Sequence, residues 1–283
     1  MTVRRVALLA SIVCIATACT SDSSFTASEP SAVATVEVGE LPAETTTETT
    51  VDSTSSSVRT VPREQQLGAR VSGNRVILIG DSVMASTATR HGDAMCKALV
   101  PLGWQVDVEA ETGQFAPWGN KVLDAKQGER FDGAVVLLGN NYLGDQLAFQ
   151  TVMERIVDRL APALIVLGTV TEFQPDRKEV NEVVRTIAAA HPEVTILDWA
   201  AATAADRTLT GGDRLHLGTK GRAALAAEVA LLLGQAPSTS GRCLESTFDD
   251  DSRGSVTGTT TTVAATVPST TAATETTTAS TGG

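Results

Sequence analysis

A parallel α/β fold is what the middle of this sequence predicts, on three observations. Short, nearly unbroken apolar runs recur at 75–80, 133–138 and 163–168, the pattern of strands buried on both faces. Stretches of helical length lie between them, so strand and helix alternate as in βαβ units. A half-buried strand at 104–109 and a short one at 194–198 complete the rhythm. Five such strands fit a flavodoxin-like three-layer α/β/α domain with a five-stranded parallel sheet.

Each element follows from its own residues. The run 75–80 ends at Gly80, and residues 83–102 read as a helix stopped by Pro101 and Gly103. Residues 104–109 alternate Trp-Gln-Val-Asp-Val-Glu, a strand with one buried face. Thr112-Gly113-Gln114 is a turn, and 122–127 a short helix. The strand at 133–138 runs out at Gly139-Asn140-Asn141. Helical spacing follows at 147–160, and again at 177–190 before Pro192. Residues 209–217 are loop-like, and 219–233 form an Ala/Leu-rich helix.

The flanks differ in kind. Arg4 and Arg5, an apolar stretch at 6–16 and Ala16-Thr17-Ala18 have the layout of an export signal over residues 1–18. The stretch is short for a membrane span. Cys19 follows the cleavage pattern directly, as in a bacterial lipoprotein, and is the expected lipid anchor; ordinary secretion is the alternative. Residues 19–70 are rich in Thr, Ser, Glu and Pro and read as a disordered tether; the domain is expected at 71–248, and 249–283 as a Thr-rich disordered tail. The expected location is extracytoplasmic, lipid-anchored or secreted. Of the four cysteines, Cys96 and Cys243 remain as an even pair in an exported chain and are expected to form a disulfide. A formal net charge of -11 argues against nucleic-acid binding. No His/Cys cluster has metal-ligand spacing, and no Gly-rich phosphate loop follows the first strand, so neither metal nor cofactor is expected.

Chemistry concentrates at strand ends. Ser82 stands where the first strand passes into a helix, in Gly80-Asp81-Ser82. A serine hydroxyl needs a base, and His216 can be one, with Asp213 three residues earlier to orient its ring. A carbonyl under attack also needs donors for its oxyanion, which the Ser82 and Gly113 N–H groups and the Asn141 amide could supply. Each signal has a plainer reading alone. Asp81 and Ser82 suit a helix cap, Gly139 to Asn141 suit a turn, and 213–216 suit a surface loop. Neither His91 nor His191 has a nearby acid at a useful offset on a strand-end loop, and both read as structural or exposed. Phe115 and Trp118 are candidates to line a cleft, while Trp104 and Trp199 read as packing.

Taken in order, Gly80-Asp81-Ser82, a turn glycine, Gly139-Asn140-Asn141 and Asp213-Arg214-Leu215-His216 resemble the four blocks of the SGNH/GDSL hydrolases. The resemblance spans residues 75–233 and implies a serine esterase or acyl-transfer site. Ser82 would be the nucleophile, Asp213 and His216 its partners, and Ser82, Gly113 and Asn141 the oxyanion hole. The Gly-Asp-Ser-Val-Met form also resembles the domains appended to cell-wall O-acyltransferases. Those commonly carry Gly-Arg-Gln-Phe where this chain has Thr112-Gly113-Gln114-Phe115, so alignment on Gln114-Phe115 would put Thr112 at the glycine. The resemblance implies a small acyl ester, acetyl foremost, on a cell-envelope glycan or related ester; separately, the Cys19 lipid is expected to hold the protein at the membrane, and a monomer is expected. A catalytically silent glycan-binding lipoprotein and a secreted lipase or thioesterase are the alternatives.

Overall fold

The computed structural model describes residues 60–258, all within the unit Ser57–Gly283. The export signal, Cys19, the tether up to residue 59 and the tail from residue 259 lie outside the described residues.

Six parallel strands form one sheet: β1 (Arg75–Gly80), β2 (Gln105–Ala110), β3 (Gly133–Leu137), β4 (Leu164–Gly168), β5 (Val194–Leu197) and β6 (Arg242–Cys243). Their spatial order is β5-β4-β3-β1-β2-β6. The sheet is thus one strand wider than expected. β6 is two exposed residues with no apolar pattern, held on the edge by pairing with β2 at Gln105 and Val106.

Among the described residues, seven α-helices cover the faces: α1 (Ser82–Ala85), α2 (Ala94–Leu99), α3 (Trp118–Ala125), α4 (Gln146–Leu160), α5 (Arg177–Ala190), α6 (Trp199–Ala205) and α7 (Thr219–Leu233). Side chains alternate across a strand, and each strand divides its residues accordingly. Val76, Leu78, Val135, Leu137 and Val166 enter one core with α1, α2, α6 and α7. Ile77, Ile79, Ala134, Val136, Ile165 and Leu167 enter the other with α3, α4 and α5. This is the three-layer α/β/α arrangement.

Three departures have local causes. The helix expected over 83–102 is broken into α1, a 3-10 turn at Thr89–His91, α2 and a second 3-10 turn at Val100–Leu102. The Ser86 and Thr87 hydroxyls donate back to the Val83 and Met84 carbonyls, and Gly92 and Asp93 take left-handed backbone (φ 104° and 64°), which a helix cannot continue through. The tether was expected to reach residue 70, yet Leu67 is fully buried in the first core. The tail was expected to begin at 249, yet 249–258 pack along the carboxyl edge of the sheet. The reason is largely polar, with Phe248 and Val256 adding apolar contacts to the two cores. Glu109 and Glu111 accept backbone N–H groups from Thr247, Phe248 and Asp250.

Cys96 and Cys243 are disulfide-bonded, joining α2 to β6. Among the described residues no helix is long and apolar enough to cross a membrane.

Candidate active site

β1 is apolar until Gly80, where the chain must turn sharply; a Cβ there would stand 2.2 Å from Met84 Cβ. Asp81 caps α1, its carboxylate accepting the Val83 N–H at 3.1 Å. Ser82 is the first residue of α1, so its N–H has no partner inside that helix. With Asp81 supplying the cap, the Ser82 hydroxyl is left for other work. It lies 3.1 Å from His216 Nε2.

His216 and Asp213 sit on the loop before α7. An antiparallel bridge between Thr210 and Leu217 closes that loop, and Gly211 N–H donates to the His216 carbonyl at 2.7 Å. Asp213 Oδ1 accepts the Leu215 and His216 N–H groups at 3.0 and 3.1 Å. Its Oδ2 then meets His216 Nδ1 at 2.7 Å. Arg214, between them, takes left-handed backbone (φ 59°), an uncommon conformation for a residue with a Cβ. Burial works against the Asp213 charge, but the bonds from His216 and the two N–H groups outweigh it and hold the carboxyl below its ordinary value. Asp213 is therefore an anion at neutral pH, facing one ring nitrogen while the hydroxyl of Ser82 faces the other.

The remaining expected residues come from the loops after β2 and β3. Gly113 has a left-handed backbone (φ 65°) and packs under Arg253. The Thr112 N–H donates to Asp251 Oδ1 at 3.2 Å, whereas among the described residues the Gly113 N–H meets no acceptor. Of the two alignments of this block, the one that uses the Gly113 N–H leaves a free donor. Asn141 Nδ2 donates to the Gln114 carbonyl at 3.0 Å, tying the two loops together and leaving its second amide hydrogen.

Three residues with no expected part in the site hold this loop in place. The Asn140 N–H and side-chain amide both donate to Asp81, at 3.2 Å and at 2.9–3.0 Å. The buried Arg177 donates twice to the Asn140 carbonyl, at 3.0 and 2.7 Å. Asp81 and Arg177 thus grip Asn140 from both sides, and Asn141 is the next residue. Burial pushes the Asp81 carboxyl up to about 6 against the hydrogen bonds of Asn140 and Val83. Gly139 permits the approach. Its backbone is at φ 123°, and a Cβ would lie 2.6 Å from Val180 Cγ1. Neither Asp81–Asn140 nor Arg177 has a sequence spacing that signals the contact; the pairs lie 59 and 37 residues apart.

Phe115, Tyr142, Phe149 and Leu143 line a largely apolar cavity of about 240 Å³ beside Asn141. Phe115, one of the two cleft candidates, lines this cavity. Trp118 does not: it is buried and packs edge-on against Phe248. His91 Nε2 binds Asp251 at 2.6 Å and His191 Nδ1 binds Glu193 at 3.1 Å, contacts outside the Ser82 relay.

No family model matches the chain, and no curated protein matches it. Solved structures do. The catalytic domain of Streptococcus pneumoniae peptidoglycan O-acetyltransferase A is 23% identical, with a TM-score of 0.46 over 57% of this chain and 93% of that one. A putative G-D-S-L lipolytic protein from Desulfitobacterium hafniense is 18% identical, with a TM-score of 0.45 over 57% of this chain and 99% of that one. A Clostridium thermocellum family 3 carbohydrate esterase is 16% identical, with a TM-score of 0.44 over 56% of this chain and 93% of that one.

Proposed function

We propose that the protein is a serine esterase or acyl-transfer enzyme acting on small acyl esters, acetyl foremost, of cell-envelope glycans. One observation carries the reading: Asp213, His216 and Ser82 form a continuous relay, 2.7 Å and 3.1 Å per step, at the carboxyl edge of the sheet. Such a line lets His216 take the Ser82 proton while Asp213 holds the imidazole and stabilises its cation.

The step balances as follows. Ser82 Oγ forms a bond to the ester carbonyl carbon as its proton passes to His216 Nε2. The carbonyl oxygen becomes an oxyanion facing the Ser82 and Gly113 N–H groups and the Asn141 amide. The carbon–oxygen bond to the alcohol breaks, and His216 returns the proton to the leaving oxygen. Water, or an acceptor hydroxyl, then attacks the acyl-serine by the same route in reverse. The Asp81–Asn140–Arg177 grip serves by holding Asn141 in register, since a donor acts only where charge develops. The expected setting is outside the cytoplasm, with the chain exported and held at the membrane through Cys19.

Incubation with p-nitrophenyl acetate and with a fluorophosphonate probe tests this. Wild type should turn over the ester and take the label, and Ser82→Ala should do neither. His216→Ala should lose at least about 10³-fold in kcat. An unlabelled, inert wild type, or a Ser82→Ala variant with full activity, would sink the serine mechanism.

A further inference from the structure

Beyond the catalytic loop lies a second cavity, of about 350 Å³, with a different character. Three arginines from separate elements line it: Arg185 from α5, Arg207 from the 3-10 turn Arg207–Leu209, and Arg214 from the loop itself. In a chain of net charge -11 this convergence runs against the overall balance. The short side chains of Ala201 and Ala204 on α6 leave the space between them open.

These charges are poorly answered. Among the described residues the Arg207 guanidinium meets no carboxylate. Arg214 Nη2 donates to an uncharged acceptor, the Phe173 carbonyl, at 3.0 Å. Arg185 reaches Asp198 Oδ1 only at 3.5 Å, and that oxygen already accepts from Thr169 Oγ1 and the Ala201 N–H. Glu172, the one carboxylate lining the cavity, accepts from Asn181 Nδ2 at 3.2 Å. Thr171 also lines the cavity; it is 8% exposed, and its buried hydroxyl oxygen has no partner. A buried hydroxyl without a partner is costly unless a ligand or water completes it.

We propose that this cavity binds an anionic group, a carboxylate or a phosphodiester, carried by the alcohol half of the ester. Guanidinium groups pair with such oxyanions through two parallel N–H bonds, and a concave basic surface concentrates anions from solution. Arg214 places the subsite against the reaction: it stands between Asp213 and His216, so the cavity and the relay share one loop. Thr171 follows β4 at the same sheet edge as Ser82. The identity of the bound half rests on the esterase reading; anion binding itself rests on the cavity alone.

The test separates the two. The full chain carrying Ser82→Ala is titrated at fixed ionic strength with an oligogalacturonate, a glycerol-phosphate oligomer and a neutral oligosaccharide of matched length. At least one of the two anionic probes should bind more tightly than the neutral one; which does so names the source of the charge. Arg185→Ala and Arg207→Ala, both exposed positions, should each weaken that binding by about tenfold. Equal binding of neutral and anionic probes, or anion binding that survives both arginine changes together, overturns the subsite. Loss of esterase activity in wild type would bear on the serine mechanism and leave the titration to stand or fall separately.

Discussion

Asp81 shows how much one buried carboxyl can decide. It caps α1 and grips Asn140, so it orders both the segment that carries Ser82 and the loop that carries Asn141. Burial raises it to about 6 from an ordinary 3.8. Because the folded value is the higher one, the neutral form favours folding. That contribution is complete below about pH 4 and is lost as pH rises through about 6. Stability of wild type relative to Asp81→Asn should therefore fall between pH 4 and 6 by about 3 kcal/mol and run parallel above. Denaturant melts of both proteins across that window measure it, and a flat difference would mean an unperturbed Asp81. For Asn141→Ala the expected loss is about 10²–10³-fold in kcat with little change in KM, because the donor acts on charge that appears only in the transition state. A change confined to KM would remove Asn141 from the oxyanion site. Ser82, Asn141, Asp213 and His216 could be picked out as candidates because each block is a short local pattern. Asp81, Asn140 and Arg177 were not legible as a unit, since only folding brings them together.

Among the elements, β2 is the least ordinary. Its alternation reads as a strand with one apolar and one polar face, yet the polar face is buried too. Asp107 and Glu109 are 1% and 0% exposed, and Lys126, just past α3, reaches both. Burial pushes Asp107 up to about 6; Glu109, in spite of burial, is held below its ordinary value by Lys126 and the Thr247 N–H. Lys126→Met should cost about 3–5 kcal/mol, since it strands two carboxylates in a buried site. Chemical denaturation would register that loss, and a cost under about 1 kcal/mol would show the cluster to be hydrated. Helices α5 and α7 were readable to the residue because helix-forming composition and stop signals agreed. The helix at α6 was missed because an alanine-rich run lacks apolar contrast, and β6 because two exposed residues carry no pattern at all.

At the scale of the whole domain, the disulfide and the segment 244–258 act together. Cys96–Cys243 fastens β6 to α2. From there the chain runs past Glu109 and Glu111 to Asp251, which holds the Thr112 N–H, Arg90 and His91, and on to Gly258 beside the Leu217 carbonyl. The disulfide closes a long loop, its ends 147 positions apart in the chain, so replacing both cysteines by serine should cost about 2–5 kcal/mol. Thermal melts with and without reductant check this. Reductant should lower the wild-type Tm toward that of the double variant and leave the variant unmoved. An equal response of both would mean that the bond contributes nothing.

By itself the sequence determined the layered α/β class, the ranges of its strongest elements, the cysteine pairing and the residues able to form a Ser82–His216–Asp213 relay. These rest on local regularities: apolar period, turn chemistry, and reactive side chains at strand ends. The tertiary structure alone decided the strand order, the sixth strand, the burial of Leu67 and the docking of 249–258. It also decided the grip on Asn140 and the convergence of three arginines on one cavity. The physical reason is that each depends on groups far apart in the chain. Apolar packing buries Leu67, and hydrogen bonds and charges hold most of the rest; contacts of such long range leave no period in a sequence until the fold has brought the partners within reach.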